Sequence, residues 1–588
     1  MSFALLARQT LARCRPRYVR EYHRTPQAAL KSDVLSRLAR VGLFSGALVG
    51  AALAYGPSPL YSDAREAQGP RKFQPSLSSL VRSYIVFSAC SVPFLVDSAP
   101  TLLSVVMVIP GVKQVAEAVV RVTFFKHFVG GDTAEDCLPL LEQYRSENKG
   151  CLFAYSVEVD EDEAAGNSSK HGNVQPKYKQ GVAEMIHSID VAADFEDRHI
   201  VKSADPAKGR RTWVAVKLTA LLPHAQALIN FSKHLVQTRP AFPNVAFPGM
   251  PHPDDLDVLY SKIPSEHLTE ADITELRELH EDLVKICTRA AERGVRIIMD
   301  AEYSWYQPAI DAFVHALMRE FNKLTISPAS SHSSVNVQPL IYQTYQAYLR
   351  RTPEYLARSI VESRRENYAL GVKLVRGAYH PHETAAHPTT ATSSTSSPAE
   401  DLALKKLSIS PDPDPPVWQH KSETDARYDA CAALLINHIK SDIHDAHNGW
   451  RLWSRGREAD VPRIGVLFGT HNWASARNIL ELLTKSDIGL AEKIQEGGEE
   501  VYRIGEAATE RLTMGQLYGM CDELTDYLVG KTRCSAPFVI KYIPYGALSE
   551  VMPYLSRRAI ENKSVLGNGA ATAERKRAWA EIRKRVLG

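Results

Sequence analysis

The chain has 588 residues, 44% hydrophobic and 23% charged, which fits a folded globular protein and excludes a disordered or fibrous one. The formal net charge is +3, but residues 1–40 alone hold nine basic and two acidic side chains; the remaining body is slightly acidic and presents no basic nucleic-acid surface. Eight scattered cysteines with no C-x-x-C pair argue against a disulfide framework or a structural zinc site.

The N-terminal "MSFALLARQTLARCRPRYVREYHRTPQAALKSD" is Arg-rich with no acid before Glu21. Residues 1–40 therefore read as a mitochondrial transit peptide, or else as a disordered basic arm. Residues 41–56, "VGLFSGALVGAALAYG", are apolar and uncharged. As a helix this stretch reaches ~24 Å, short of a ~30 Å hydrocarbon core. Gly42, Gly46 and Gly50 would give it a close-packing face. A membrane-dipping helix, a span and a buried helix all fit. The apolar stretch 83–112 is broken by prolines and Asp97 and reads as packed helices. Residues 41–120 are thus expected to form an apolar helical extension that touches a membrane.

From about residue 150, β-rich runs alternate with helical patterns. The runs are "LFAYSVE" (152–158), "WVAVKLT" (213–219), "VRIIMD" (295–300), "VNVQPLIY" (335–342), "GVKLVR" (371–376), "RIGVLF" (463–468), "RLTMGQL" (511–517) and "FVIKYI" (538–543). Between them lie patterns such as 268–294, which opens with acids and stops at Gly294. Eight strands alternating with helices predict an α/β fold of the (β/α)8 TIM-barrel type. An open doubly wound sheet is the alternative, but no G-x-G-x-x-G follows the first strand. Residues 158–173 and 382–416 read as inserts; the first half of the latter, rich in Ser, Thr and Pro, is expected to be disordered. Residues 566–588 read as a basic C-terminal tail.

In such a barrel, chemistry gathers at the C-terminal ends of the strands. Lys217, Asp300, Gln343, Arg376, Tyr379, "GTHN" (469–472), Gln516 and Tyr542 all fall at or near those ends. Each has a bland reading as half of an ion pair or as a cap; their recurrence at one end of nearly every strand favours a site. After the eighth strand, Tyr554, Arg557 and Arg558 stand at i, i+3 and i+4 of a helix starting near Ser549. Two guanidiniums there make a fork for one carboxylate or phosphate. The bland alternative is a surface ion pair between Arg557 and Glu561.

"KLVRGAYH" (373–380), "GTHN", "GQLYGMCDEL" (515–524) and "YIPYGALSEVMPYLSRRAIEN" (542–562), with "FVGGDTAEDCLPLLEQY" (128–144) and "IMDAEYSWYQPAID" (298–311), resemble in order and spacing proline dehydrogenases of the eukaryotic mitochondrial type, in a fungal-like form. The resemblance implies a distorted (β/α)8 barrel over 121–565 that carries FAD and oxidises L-proline to Δ1-pyrroline-5-carboxylate. It also implies that electrons pass to quinone, on the matrix side of the inner mitochondrial membrane, with no metal. By resemblance, Arg557 and Arg558 grip the proline carboxylate, Lys217 helps them, Asp300 supports the cationic cluster and Glu561 orients the arginines. Tyr542, Tyr554, Leu374 and Tyr379 would wall the pyrrolidine ring. Gln343, Lys373, Val375, Gly377, Thr470, His471, Asn472 and Gln516 match flavin-contacting positions. Lys373 stands where bacterial relatives carry arginine, keeping the charge without the planar fork. Three alternatives remain: a hydroxyproline dehydrogenase on the same scaffold, a Schiff-base lyase using Lys217, and a non-catalytic membrane-associated scaffold.

Overall fold

The computed structural model describes residues 75–92, 94, 96, 111–156, 176–199, 207–240, 242–261, 265–324, 337–388, 405, 407–449, 461–493, 500–562 and 570–587. The expectations for 1–56 and for the insert 158–173 lie outside the described residues. Among the described residues, no helix is long and apolar enough to cross a membrane.

The strands are β1 (Lys149–Tyr155), β2 (Thr212–Val216), β3 (Ile297–Met299), β4 (Ile341–Gln346), β5 (Leu370–Val375), β6 (Ile464–Gly469), β7 (Gly489–Lys493), β8 (Glu500–Ile504), β9 (Leu512–Leu517), β10 (Thr532–Arg533) and β11 (Val539–Tyr545). Eight of them close a barrel in the order β1-β11-β9-β6-β5-β4-β3-β2, each pairing parallel with its neighbours. This is the expected (β/α)8 architecture, and all eight predicted strands are in it. Two starts differ: β1 begins three residues earlier than the run read as a strand, and β4 begins after Pro339 rather than at 335. β7, β8 and β10 form a small side sheet that the sequence reading did not anticipate.

Side chains alternate across each strand with a period of two. One set, Leu152, Ala154, Trp213, Ala215, Ile298, Tyr342, Leu467 and Ile540, meets in the barrel interior. The other set, such as Val214, Ile341, Tyr345, Val372, Leu374 and Met514, packs with the helices in the large outer core. The interior is filled rather than open: the Trp213 and Tyr342 rings lie 5.1 Å apart.

The connecting helices follow their sequence signals. Glu270–Arg293 starts with a capping box, Thr269 Oγ1 accepting the Asp272 N–H at 3.1 Å while the Asp272 carboxylate accepts the Thr269 N–H at 2.9 Å. It stops at Gly294, whose φ of +63° suits glycine. The insert 382–416 is not one unit. Its start belongs to the His380–Ala386 helix, Leu407 and Ile409 pack on the outer core, and Arg350 donates to the Pro415 carbonyl and the Asp412 carboxylate. The Ser/Thr/Pro-rich part, 389–404, lies outside the described residues. The segment read as a basic tail contains an 18-residue helix, Ala570–Leu587.

Candidate active site

Asp300 directly follows β3, and its backbone N–H donates to the Val216 carbonyl at 2.9 Å, tying the tips of β3 and β2 together. Its side chain is buried and has two partners from other strands. Lys373, on the inner face of β5, donates to Oδ1 at 2.6 Å. Tyr542, on the inner face of β11, donates its hydroxyl to Oδ2 at 2.8 Å. The Lys373 ammonium also sits 5.1 Å from the centre of the Tyr542 ring. A buried carboxylate is tolerable only when paired and hydrogen-bonded, and here both conditions hold. Lys217 follows β2 in extended conformation, half-buried at the same end of the barrel.

The Met552–Asn562 helix lies against this mouth. Arg557 rests over the Tyr379 ring at 5.0 Å. Arg558, only 4% exposed, stacks on Tyr554 at 4.9 Å and donates to Glu561 at 2.5 Å. An ion pair within this helix joins Arg558 and Glu561, at i,i+3. The Arg558 Nε is buried with no hydrogen-bond partner among the described residues. A buried, unsatisfied donor on a charged group costs about 1–3 kcal/mol or more, which marks it for an acceptor.

Tyr379 leads into the His380–Ala386 helix, whose buried Glu383 accepts from the Ser304 N–H at 2.6 Å and from its hydroxyl at 2.5 Å. Burial pushes the Glu383 carboxyl up to about 7 against those two bonds. The Tyr303 ring beside Ser304 stacks on Trp305 at 4.4 Å and meets Tyr379 at 4.2 Å. The aromatic platform under Arg557 is thus held from two loops.

The loop after β6 is fixed by Arg376. Its guanidinium donates to Thr470 Oγ1 at 2.9 Å, to Ser475 Oγ at 2.8 Å and to Asp425 at 2.6 Å. Asn472 caps the Trp473–Lys485 helix through the Ser475 N–H. His471 Nε2 accepts the Leu517 N–H at 3.0 Å. Burial, then the nearby charges of Lys541, Arg558 and Arg376, lower the His471 pKa to about 3. The ring is neutral near pH 7. Gly377 has φ +120°, and a Cβ there would fall 2.5 Å from the Tyr348 ring, so only glycine fits.

The structure therefore brings Asp300, Lys373, Val375, Tyr542, His471, Tyr379, Tyr554, Arg557 and Arg558 together at one end. It does not do so for Gln343 or Leu374. Both share the helix-facing parity of their strands. Gln343 donates to Asp311 of the Gln307–Phe321 helix at 2.7 Å, and Leu374 is fully buried in the outer core. Gln516 also faces the helices, its amide taken up by the Thr470 carbonyl and the Thr525 hydroxyl. The residue that sequence reasoning missed is Gln346, three positions on at the tip of β4. It has inward parity, its Nε2 donates to the Glu302 carbonyl and Tyr348, and its buried Oε1 has no partner among the described residues. The alternation Tyr342, Thr344, Gln346 would have selected it.

A family model described as "Proline dehydrogenase" matches residues 145–395 and 406–570. The chain is 26% identical over 608 residues to "Proline dehydrogenase 1, mitochondrial" of Caenorhabditis elegans, spanning 87% of this chain and 86% of that one. It is 27% identical over 518 residues to "Proline dehydrogenase 2, mitochondrial" of Arabidopsis thaliana, spanning 87% and 88%. It is also 26% identical over 535 residues to "Hydroxyproline dehydrogenase" of Bos taurus, spanning 91% and 96%.

Proposed function

The chain belongs to the proline dehydrogenase family, and from that premise we propose that it oxidises L-proline to Δ1-pyrroline-5-carboxylate with bound FAD and hands the electrons to quinone. The observation that carries the substrate assignment is the buried Arg558, its Nε unmatched, at a mouth floored by Asp300, Lys373 and Tyr542. A carboxylate is the acceptor such a guanidinium calls for.

The residues present fit a flavin. The buried Gln346 Oε1 offers an acceptor for a ring N–H. Gly469 and Gly515 keep the inner wall at the tips of β6 and β9 free of side chains, and a Cβ at 469 would fall 2.9 Å from Val375. Gln346, Lys373, Val375, Gly377, Thr470, His471 and Asn472 are the proposed holding set; Gln343 and Gln516 would act only through the wall they pack. When bound, the flavin supplies the two-electron acceptor.

The rest of the mechanism is positional. Arg557 and Arg558 hold the carboxylate, with Lys217 as a third cation. Tyr542, Tyr554 and Tyr379 enclose the ring, so that its carbon next to nitrogen is presented in one orientation. Asp300 keeps Lys373 and Tyr542 fixed, and the neutral His471 adds no charge. Loss of hydride from carbon and of a proton from nitrogen requires the amine to be neutral, so the rate rises with pH.

The Arg-rich start and the mitochondrial names of relatives support import into mitochondria, and the quinone acceptor supports a place on the matrix side of the inner membrane. Membership of a dehydrogenase family argues against the Schiff-base lyase and the scaffold. Purified protein is expected to be yellow and to bleach anaerobically on L-proline; colourless protein that still oxidises proline would sink the reading.

The relatives include hydroxyproline dehydrogenases at similar identity, so the ring pocket must decide. Tyr542 fills the pocket and anchors to Asp300, which favours proline. Tyr542→Ser is expected to weaken proline oxidation by ~1–3 kcal/mol in kcat/KM and to raise the hydroxyproline-to-proline ratio. An unchanged ratio of the two efficiencies would remove Tyr542 from the ring wall.

A further inference from the structure

The Met552–Asn562 helix has 11 residues, too few to be stable alone. Arg557 contacts the mouth over the Tyr379 ring, and Arg558, one residue on, stacks on Tyr554. Its remaining packing is apolar: Leu555 and the Tyr554 ring on which Arg558 stacks, with Val551 just before the helix, share one buried cluster with Val86, Phe87 and Ala571. Val86 and Phe87 belong to the Leu77–Cys90 helix, and Ala571 to the Ala570–Leu587 helix.

These two helices come from opposite ends of the described chain and hold each other. The Tyr84 and Trp579 rings are 5.4 Å apart. Arg585 donates to the Pro75 carbonyl at 2.5 Å, closing the far end of the pair. Ala571 and Ala578, seven residues apart, are both fully buried, and small side chains there let the helices approach closely. The family match starts at 145 and stops at 570, so this pair lies almost wholly outside it.

We propose that the Leu77–Cys90 and Ala570–Leu587 helices form a brace that holds the Met552–Asn562 helix where Arg557 and Arg558 can grip a substrate carboxylate. The inference rests on the carboxylate-clamp reading above. A clamp must be held to within about 0.5 Å by packing behind it. Here these two helices supply part of that packing, beside Phe125, Phe128 and Met520 of the same cluster, and the brace residues are positioning residues that set affinity for proline without touching it.

The test uses the full-length holoenzyme. Trp579→Ala removes the ring contact at the centre of the brace. The proline KM and the inhibition constant of cyclopentanecarboxylate, which has the carboxylate but no amine, are expected to rise about 3- to 10-fold, the scale of one aromatic pair. kcat is expected to stay within about 2-fold and the flavin spectrum to be retained. Amide hydrogen exchange is expected to quicken over 552–562 and to stay unchanged over β6. Trp579→Phe restores the wild-type constants. Arg585→Met, which removes the bond to Pro75, is expected to act in the same direction and replaces Trp579→Ala should that chain fail to fold. Unchanged inhibition and unchanged exchange over 552–562 in a folded Trp579→Ala enzyme overturn the brace. Arg558→Met, run alongside, separates the two ideas: if it too leaves cyclopentanecarboxylate inhibition unchanged, the clamp reading has failed rather than the brace alone.

Discussion

Arg558→Met is expected to lower kcat/KM for L-proline by about 30- to 1000-fold, equivalent to ~2–4 kcal/mol, while the flavin stays bound. The side chain is a buried guanidinium with one nitrogen that has no hydrogen-bond partner among the described residues. Methionine keeps most of the apolar stem and loses the fork, so the change isolates the charge-assisted bonds. The loss falls mainly on KM, because the carboxylate is held in both the ground state and the transition state. Lysine should not restore it, since an ammonium cannot bond in a bidentate plane. Arg557 is less buried and rests on Tyr379. Its methionine variant is expected to lose about 10-fold, less than Arg558→Met, because a more solvated charge contributes less. Steady-state proline kinetics with flavin content measured on the same samples decide the matter. Near-wild-type efficiency in both variants, with flavin retained, would remove the carboxylate clamp and leave Arg558 as half of a structural ion pair with Glu561.

Much of this architecture is legible in the sequence, and the exceptions have physical causes. The barrel strands are short runs of β-branched and aromatic residues separated by helical periodicity, a signal that survives without tertiary information. The start of β4 does not, because "VNV" before Pro339 is as β-prone as the strand itself. Within β4 the two-residue period puts Tyr342, Thr344 and Gln346 on the inner face and Gln343 on the other. Gln343 accordingly sits on Asp311 while Gln346 occupies the strand tip. Leu374 lies in the outer core, between the inward Lys373 and Val375 of β5. The partnership of Lys373 with Asp300 joins strands 73 residues apart, and no local pattern reports it. The Ala570–Leu587 helix reads as a tail because eight of its 18 residues are charged, six of them basic, and only four are large apolar side chains. The narrow row of Ala571, Ala578 and Trp579 becomes meaningful only once the Leu77–Cys90 helix lies against it.

Asp300 is where that long-range pairing makes its sharpest prediction. One carboxylate fixes a lysine on β5 and a tyrosine on β11, across the floor of the mouth. Asp300→Ala leaves a buried ammonium uncompensated and a phenol without its acceptor, a change expected to cost about 3–5 kcal/mol. Part of this appears as lowered stability and part as a loss of about 100-fold or more in kcat/KM, since Lys373 and Tyr542 both move. Asp300→Asn retains the shape and one acceptor oxygen, so the Tyr542 bond survives while the ion pair is lost; its effect should be intermediate. If the pair acts as a unit, Lys373→Met added to Asp300→Asn should cost much less than the sum of the two single changes, with a coupling of ~1–3 kcal/mol. A purely structural pair predicts otherwise: all three variants would melt earlier, yet each flavin-loaded molecule would turn over proline at the wild-type kcat/KM. Kinetics normalised to bound flavin, together with thermal melting of the same four proteins, separate these outcomes. Strictly additive losses in kcat/KM would show that Asp300 and Lys373 serve the reaction independently, and that the 2.6 Å contact between them does not position the substrate floor.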